Sequence, residues 1–225
     1  QVSEPETLAC SEPVFSALPA MTRGKLLLGI DIGGTDIKLA VSFDGELALC
    51  KEFDWFPASF ATAEELIDPI LLLTRLLRAA GTLYAQGKKE QIDAAALSKT
   101  ATLTEMARGA AAMEQAAGSL RSFDAIGLCF PDVVIRNRIV GGETYKTRGM
   151  RENTALDYEV QFAKITDLCT LLRAYVVPGG AVMNTNDGPM AAFTAAVEQA
   201  AAGADVSRGF FAHTMGTELG KGWVR

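Results

Sequence analysis

The chain has 225 residues, 49% of them hydrophobic and 21% charged, which suffices for a buried core in one large or two small domains and excludes global disorder. A formal net charge of −6 argues against holding nucleic acid or an anionic membrane by bulk electrostatics, but leaves room for a small anion held by local amides and one lysine. No apolar run approaches the roughly 20 residues that span a bilayer, and the four cysteines, Cys10, Cys50, Cys129 and Cys169, form no C-x-x-C pair, so free thiols in a reducing cytoplasm are expected.

Residues 1–24 contain three prolines and no steady period. They read as an extension, too short for the three helices of a winged-helix DNA-binding domain, and without the basic and apolar regions of a secretory signal. From Lys25 the body begins. "KLLLGIDIG" reads as a buried strand broken at Asp31, and "IKLAVSF" as a second. Across an Asp44-Gly45 turn, "ELALCKEFDW" reads as a third, which predicts an antiparallel meander. "TAEELIDPILLLTRLLRAAG" opens with a Thr-x-x-Glu capping box and predicts a helix ending at Gly81, with Pro69 either kinking it or marking its start. The alanine-rich stretch around residues 96–120 also reads as helical.

"FDAIGLCFPDVVI" is a fourth strand that stops at Pro131, and "RNRIVGGETYKTRGMREN" reads as a polar loop. "DYEVQFAKITDLCTLL" has helical spacing, "AVMNTND" is a short strand, and "GPMAAFTAAVEQAAAG" is a helix with Pro189 in its first turn. "GFFAHTMGTELGKGWV" repeats the opening design of strand, glycine turn and strand. A meander followed by strands alternating with helices predicts a mixed α/β sheet flanked by helices. Ligands in open α/β sheets sit beyond the carboxyl ends of strands. Asp31, Pro131, Asp187 and Gly216 fall at such ends.

Four segments carry residues suited to chemistry. In "DIGGT", Gly33 and Gly34 permit close approach to the main chain, and successive amides can form an anion nest. Thr35 adds a hydroxyl and Lys38 a cation, while Asp31 suits a phosphate that carries Mg²⁺. A plain tight turn accounts for this segment equally well. "HTMGTELGKG" offers Gly216, Thr217, Gly220 and Gly222 after an apolar strand; its histidine, His213, reads as a core or supporting residue. In "NTNDGP", Asp187 reads either as a helix cap or as a carboxylate able to take a proton from a hydroxyl nucleophile, with Asn186 orienting the same substrate. The roles are compatible because a helix N-terminus favours negative charge. In "GGETYKTRGM", Glu143, Lys146 and Arg148 form either a solvated loop or a substrate-recognition loop.

Together these segments resemble the ROK family of sugar kinases, within the actin-like ATPase superfamily. "GIDIGGTDIKLAV" is similar to the family's first phosphate motif, "IGLCFP" to its central strand, "NTNDGPMAAF" to its Asn-Asp segment and "HTMGTELGKGW" to its second phosphate motif. The likeness runs from about Lys25 onward. It implies a two-lobed, ribonuclease H-like fold, with an extension at 1–24, a first lobe at 25–183, and at 184–225 the Asn-Asp helix and the start of a second lobe that is incomplete in this sequence. It implies a glucokinase-like enzyme that moves the γ-phosphoryl group of ATP to a sugar hydroxyl, with ATP and Mg²⁺ as cofactors. Asp187 would be the catalytic base; Asn186, Glu143, Lys146 and Arg148 would bind the sugar. Gly33, Gly34, Thr35, Lys38, Gly216, Thr217 and Gly220 would face the nucleotide, and Asp31 the metal. Partners would be the sugar and ATP, with neither nucleic acid nor membrane; a homodimer is an assembly that the resemblance allows.

Some positions depart from the family. Gly188 and Pro189 stand where alanine and asparagine are usual, Glu218 and Lys221 enter the second motif, and Asp132 stands where glycine is common. These keep open a non-catalytic sugar-binding relative. A ROK-type transcriptional regulator would need a DNA-binding domain that residues 1–24 cannot hold. The sequence does not name the sugar.

Overall fold

Strands β1 (Leu26–Ile32), β2 (Asp36–Phe43) and β3 (Glu46–Asp54) form the expected antiparallel meander in a computed structural model that describes residues 20–142, 144–215 and 219–224. Asp44 and Gly45, with φ of 55° and 84°, supply the two left-handed residues that a two-residue hairpin turn needs. Asp31 does not break β1. Leu26, Leu28, Ile30 and Ile32 alternate inward along the whole strand, and Asp31 takes the opposite face.

Helix α1 (Ala63–Ala85) starts at a formed capping box: the Thr62 hydroxyl accepts from the Glu65 amide while Glu65 accepts from the Thr62 amide. It runs past Gly81, where the sequence suggested an end, and it contains Pro69 rather than starting there. The alanine-rich region is two helices, α2 (Ala94–Leu97) and α3 (Leu103–Ala117), the second opened by a Thr102–Glu105 capping box. Strand β4 (Phe123–Cys129) follows. Past Pro131 the chain forms a small hairpin, β5 (Val134–Ile135) and β6 (Arg138–Ile139), and the stretch read as a polar loop holds β6 and a short helix, α4 (Arg148–Glu152). Helices α5 (Tyr158–Thr166) and α6 (Leu168–Leu172) lead into β7 (Val176–Thr185).

The five long strands form one mixed sheet in the order β3-β2-β1-β4-β7, with β2 alone running against the rest. One face carries Leu28, Ile30, Leu39, Ile126 and Leu128 into a core with Leu66, Ile70, Leu73 and Leu77 of α1 and Met106 of α3. Each such fully buried side chain contributes about 1.5–3 kcal/mol. On the other face Leu27, Gly29, Ala40, Ser42, Leu47, Ala125 and Gly127 line a shallow depression.

The strands, α1–α6 and Asp187 make one compact unit, Thr22–Asp187. In the second unit, α7 (Asp187–Ala201, from Gly188 on) buries Gly188, Ala192 and Ala196, and β8 (Phe210–Met215) pairs with β9 (Leu219–Val224) as an antiparallel hairpin. Spacing of four residues puts these three small residues on one stripe of the helix. Among the described residues no helix is long and apolar enough to cross a membrane.

Candidate functional site

Register assembles the site at the carboxyl ends of the parallel strands. Asp31 of β1 lies beside Cys129 of β4, and Cys129 lies beside Thr185 of β7. Asp187 then opens α7, two residues beyond Thr185. The Cys129 thiol is 8% exposed and donates a hydrogen bond to Asp31 Oδ1 at 3.1 Å. Burial, and then the negative charges of Asp31 and Asp187, push the thiol well above its usual range. Cys129 is therefore a neutral donor at neutral pH. Two carboxylates from separate strand ends act on this one group, so Asp31 and Asp187 share a locus that the sequence only suggested.

The Gly33–Thr35 turn sits next to it. A Cβ at Gly33 would fall 2.5 Å from the Asp36 carbonyl oxygen, so glycine is required by close approach. It is not required by φ, because neither Gly33 nor Gly34 is among the left-handed residues. Trp55 pins the turn from beyond the end of β3: its indole Nε1 donates to the Gly33 carbonyl and its backbone amide to the Thr35 carbonyl, both at 3.0 Å. Among the described residues, no group accepts from the amides of Gly33, Gly34 or Thr35. A run of unspent amides is the raw material of an anion site.

Lys38 pairs in register with Asp31, but its ammonium turns to Asp36 at 2.6 Å. That hydrogen bond, chiefly, and the charges of Asp36, Asp31 and Glu52 raise its pKa despite some burial. The lysine stays charged, in a cluster of carboxylates, and a phosphate would have to compete with Asp36 for it. Asp31 can supply an oxygen to Mg²⁺. Among the described residues no group of three or more His, Cys, Asp or Glu side chains gathers to hold a metal alone.

Asn186 Nδ2 donates to the Asp132 carbonyl at 2.9 Å, tying the end of β7 to the loop after β4. The Asp132 carboxylate accepts from the amides of Val133 and Gly142, which folds the loop 132–142 back on itself. Asn137, left-handed at φ 68°, accepts from the Asn184 amide of β7 at 3.1 Å. Lys146 is only 6% exposed, in a 3-10 turn at Tyr145–Thr147, so it is not a solvated loop charge. Arg148 is exposed and pairs with Glu152 at 3.1 Å. Glu143 lies outside the described residues.

In the second unit Gly220 pairs with Thr214, and a Cβ there would fall 2.3 Å from the Thr214 hydroxyl. Gly216 and Thr217 lie outside the described residues. His213 is exposed on β8, edge-on to Phe211, and is not a core residue. Cys50 is likewise exposed, whereas Cys129 and Cys169 are buried.

Cys129 and Trp55 are the residues that sequence reasoning passed over. Their significance comes from partners 98 and 22 positions away, and a single strand's pattern carries no such register. No protein-family model matches the chain, and no curated protein matches it.

Proposed function

We propose that the chain carries the catalytic carboxylates of an ATP-dependent sugar kinase of the ROK type, in the actin-like ATPase superfamily. The observation that carries this reading is that strand register and a hydrogen bond place Asp31 beside Cys129, and Cys129 beside the strand end that leads into Asp187, next to a glycine turn whose amides have no acceptor among the described residues. The mixed five-stranded sheet flanked by helices is compatible with this reading.

In this reading Asp187 takes the proton of a sugar hydroxyl as the hydroxyl oxygen attacks the γ-phosphorus. The bond from that phosphorus to the β–γ bridging oxygen breaks, and ADP carries away the electron pair. Asp187 stands at the start of α7, at the carboxyl end of β7, where a substrate can reach it. Asp31 would hold Mg²⁺, which would supply charge neutralisation on the phosphates when bound. The turn at Gly33–Thr35 offers amides to a phosphate. Asn186, fixed through Asp132, and the loop bearing Lys146 and Arg148 flank the sugar side. A cytoplasmic location follows from the same reading.

The test is ADP release by the full-length protein across a panel of hexoses, with Asp187→Asn alongside. Transfer should fall by at least ~1,000-fold in the variant while sugar binding by calorimetry persists. Full activity in Asp187→Asn would remove the proposed base.

A further inference from the structure

We propose that Trp55 is a positioning residue that keeps the Gly33–Thr35 turn open to an anion, by drawing the carbonyls of Gly33 and Thr35 to itself. The identity of the anion, a nucleotide phosphate with Mg²⁺, rests on the kinase reading above; the clamp does not.

A tight turn has as many carbonyls as amides, and the carbonyls do two kinds of harm to an anion site. They repel the anion, and they offer the amides an internal acceptor. Here both carbonyls flanking Gly34 are engaged from outside. The Trp55 indole Nε1 donates to Gly33 and the Trp55 backbone amide donates to Thr35, each at 3.0 Å. The amides of Gly33, Gly34 and Thr35 are left without an acceptor among the described residues. The indole is 6% exposed and stands edge-on to Phe60 at 5.6 Å, so it is held in place. Asp36, which restricts the turn from its other side, packs against the bare Gly33 Cα. The turn is thus contacted by two neighbours, neither of which accepts a hydrogen bond from the three amides. Residues 54–57, "DWFP", contain no motif of their own, and the function described above makes no use of Trp55.

Trp55→Phe removes the indole N–H while keeping a ring and the backbone bond to Thr35. Phe60→Leu removes the edge-on partner and keeps both bonds. Titration of the full chain with Mg²⁺–ADP should show about tenfold weaker binding in Trp55→Phe, the worth of one hydrogen bond, and binding within twofold of the parent in Phe60→Leu, although both melt earlier. Equal weakening in the two, or none in Trp55→Phe, would make Trp55 a packing residue and overturn the proposal. If Trp55→Phe does not fold, the benzothiophene analogue of tryptophan at position 55 keeps the ring shape, lacks the N–H, and is judged by the same numbers. If the parent does not bind Mg²⁺–ADP, the kinase reading fails and the clamp is judged on inorganic phosphate alone. The amide ¹⁵N–¹H signals of Gly33, Gly34 and Thr35 should then move on phosphate addition and stay still in Trp55→Phe. No movement in the parent would end the proposal.

Discussion

The thiol of Cys129 donates to the carboxylate of Asp31 over 3.1 Å, from one parallel strand to the next. A neutral donor in this place fixes one carboxylate oxygen without adding a charge that would compete with a cation. Replacing Cys129 with alanine should release Asp31 to other rotamers, while serine should keep a donor there. In the kinase reading, the Mg²⁺ concentration needed for half-maximal ADP release should rise about 3–10-fold in Cys129→Ala, the effect of losing one hydrogen bond, and less than twofold in Cys129→Ser. Equal Mg²⁺ curves in all three proteins would show that the bond does not orient the metal site.

A second buried thiol sets an alkaline limit on stability. Burial pushes Cys169 up to about 11, against about 8.5 in an unfolded chain. Below pH 8 the thiol is protonated in both states and has no pH-linked effect. Between about pH 8.5 and 11 the unfolded chain gives up its proton while the folded one keeps it, so stability falls as pH rises. The loss should be on the order of 2–3 kcal/mol across that window, with Cys129 adding in the same direction. Urea unfolding at pH 8 and pH 10.5 should show a smaller drop in Cys169→Ala than in the parent. An identical drop in both would assign the alkaline loss elsewhere.

How the sequence foretold some of this and not the rest depends on range. Thr62 with Glu65, and Thr102 with Glu105, cap their helices within a few residues of chain, and Asp44-Gly45 closes its hairpin locally. Such features are legible because the interaction is contained in the window being read. Asp31 reads as a strand break by its charge, but its neighbours Ile30 and Ile32 face inward and it faces outward, which is ordinary alternation. Gly81 signalled a helix end, but packing of the surrounding helix on the sheet carried α1 four residues further. The pairs that build the site, Cys129 with Asp31 and Trp55 with Gly33, depend on strand order and register, which one strand's composition does not encode.

The loop at 141–152 separates two basic residues that look alike in sequence. Arg148 belongs to an exposed pair with Glu152, and such pairs contribute only about 0.3–0.5 kcal/mol. Lys146 is buried, so truncating it removes packed methylenes as well as a charge. Lys146→Ala should therefore cost about 1–3 kcal/mol of stability, against at most ~0.5 kcal/mol for Arg148→Ala. Chemical denaturation of the two variants checks this; equal losses would mean that Lys146 gains nothing from its burial.

Gly188 supplies a case in which helix propensity and packing oppose each other. Alanine in a helix is favoured over glycine by about 1 kcal/mol, and alanine is the residue the ROK resemblance leads one to expect there. Yet a Cβ on Gly188 would lie 2.2 Å from the Lys221 carbonyl oxygen, and one on Gly222 would lie 1.9 Å from the Gly188 carbonyl oxygen. Backbone meets backbone at this crossing of α7 and β9, so neither side can yield by a rotamer change. The overlap exceeds what the propensity gain offsets, and Gly188→Ala should loosen the second unit by at least ~1–3 kcal/mol. Amide exchange in Phe210–Met215 should quicken in the variant, while exchange in β1, which belongs to the other unit with its own core, should not change. Slower exchange in the hairpin would show that propensity wins, and that the close approach is not required for the second unit to hold.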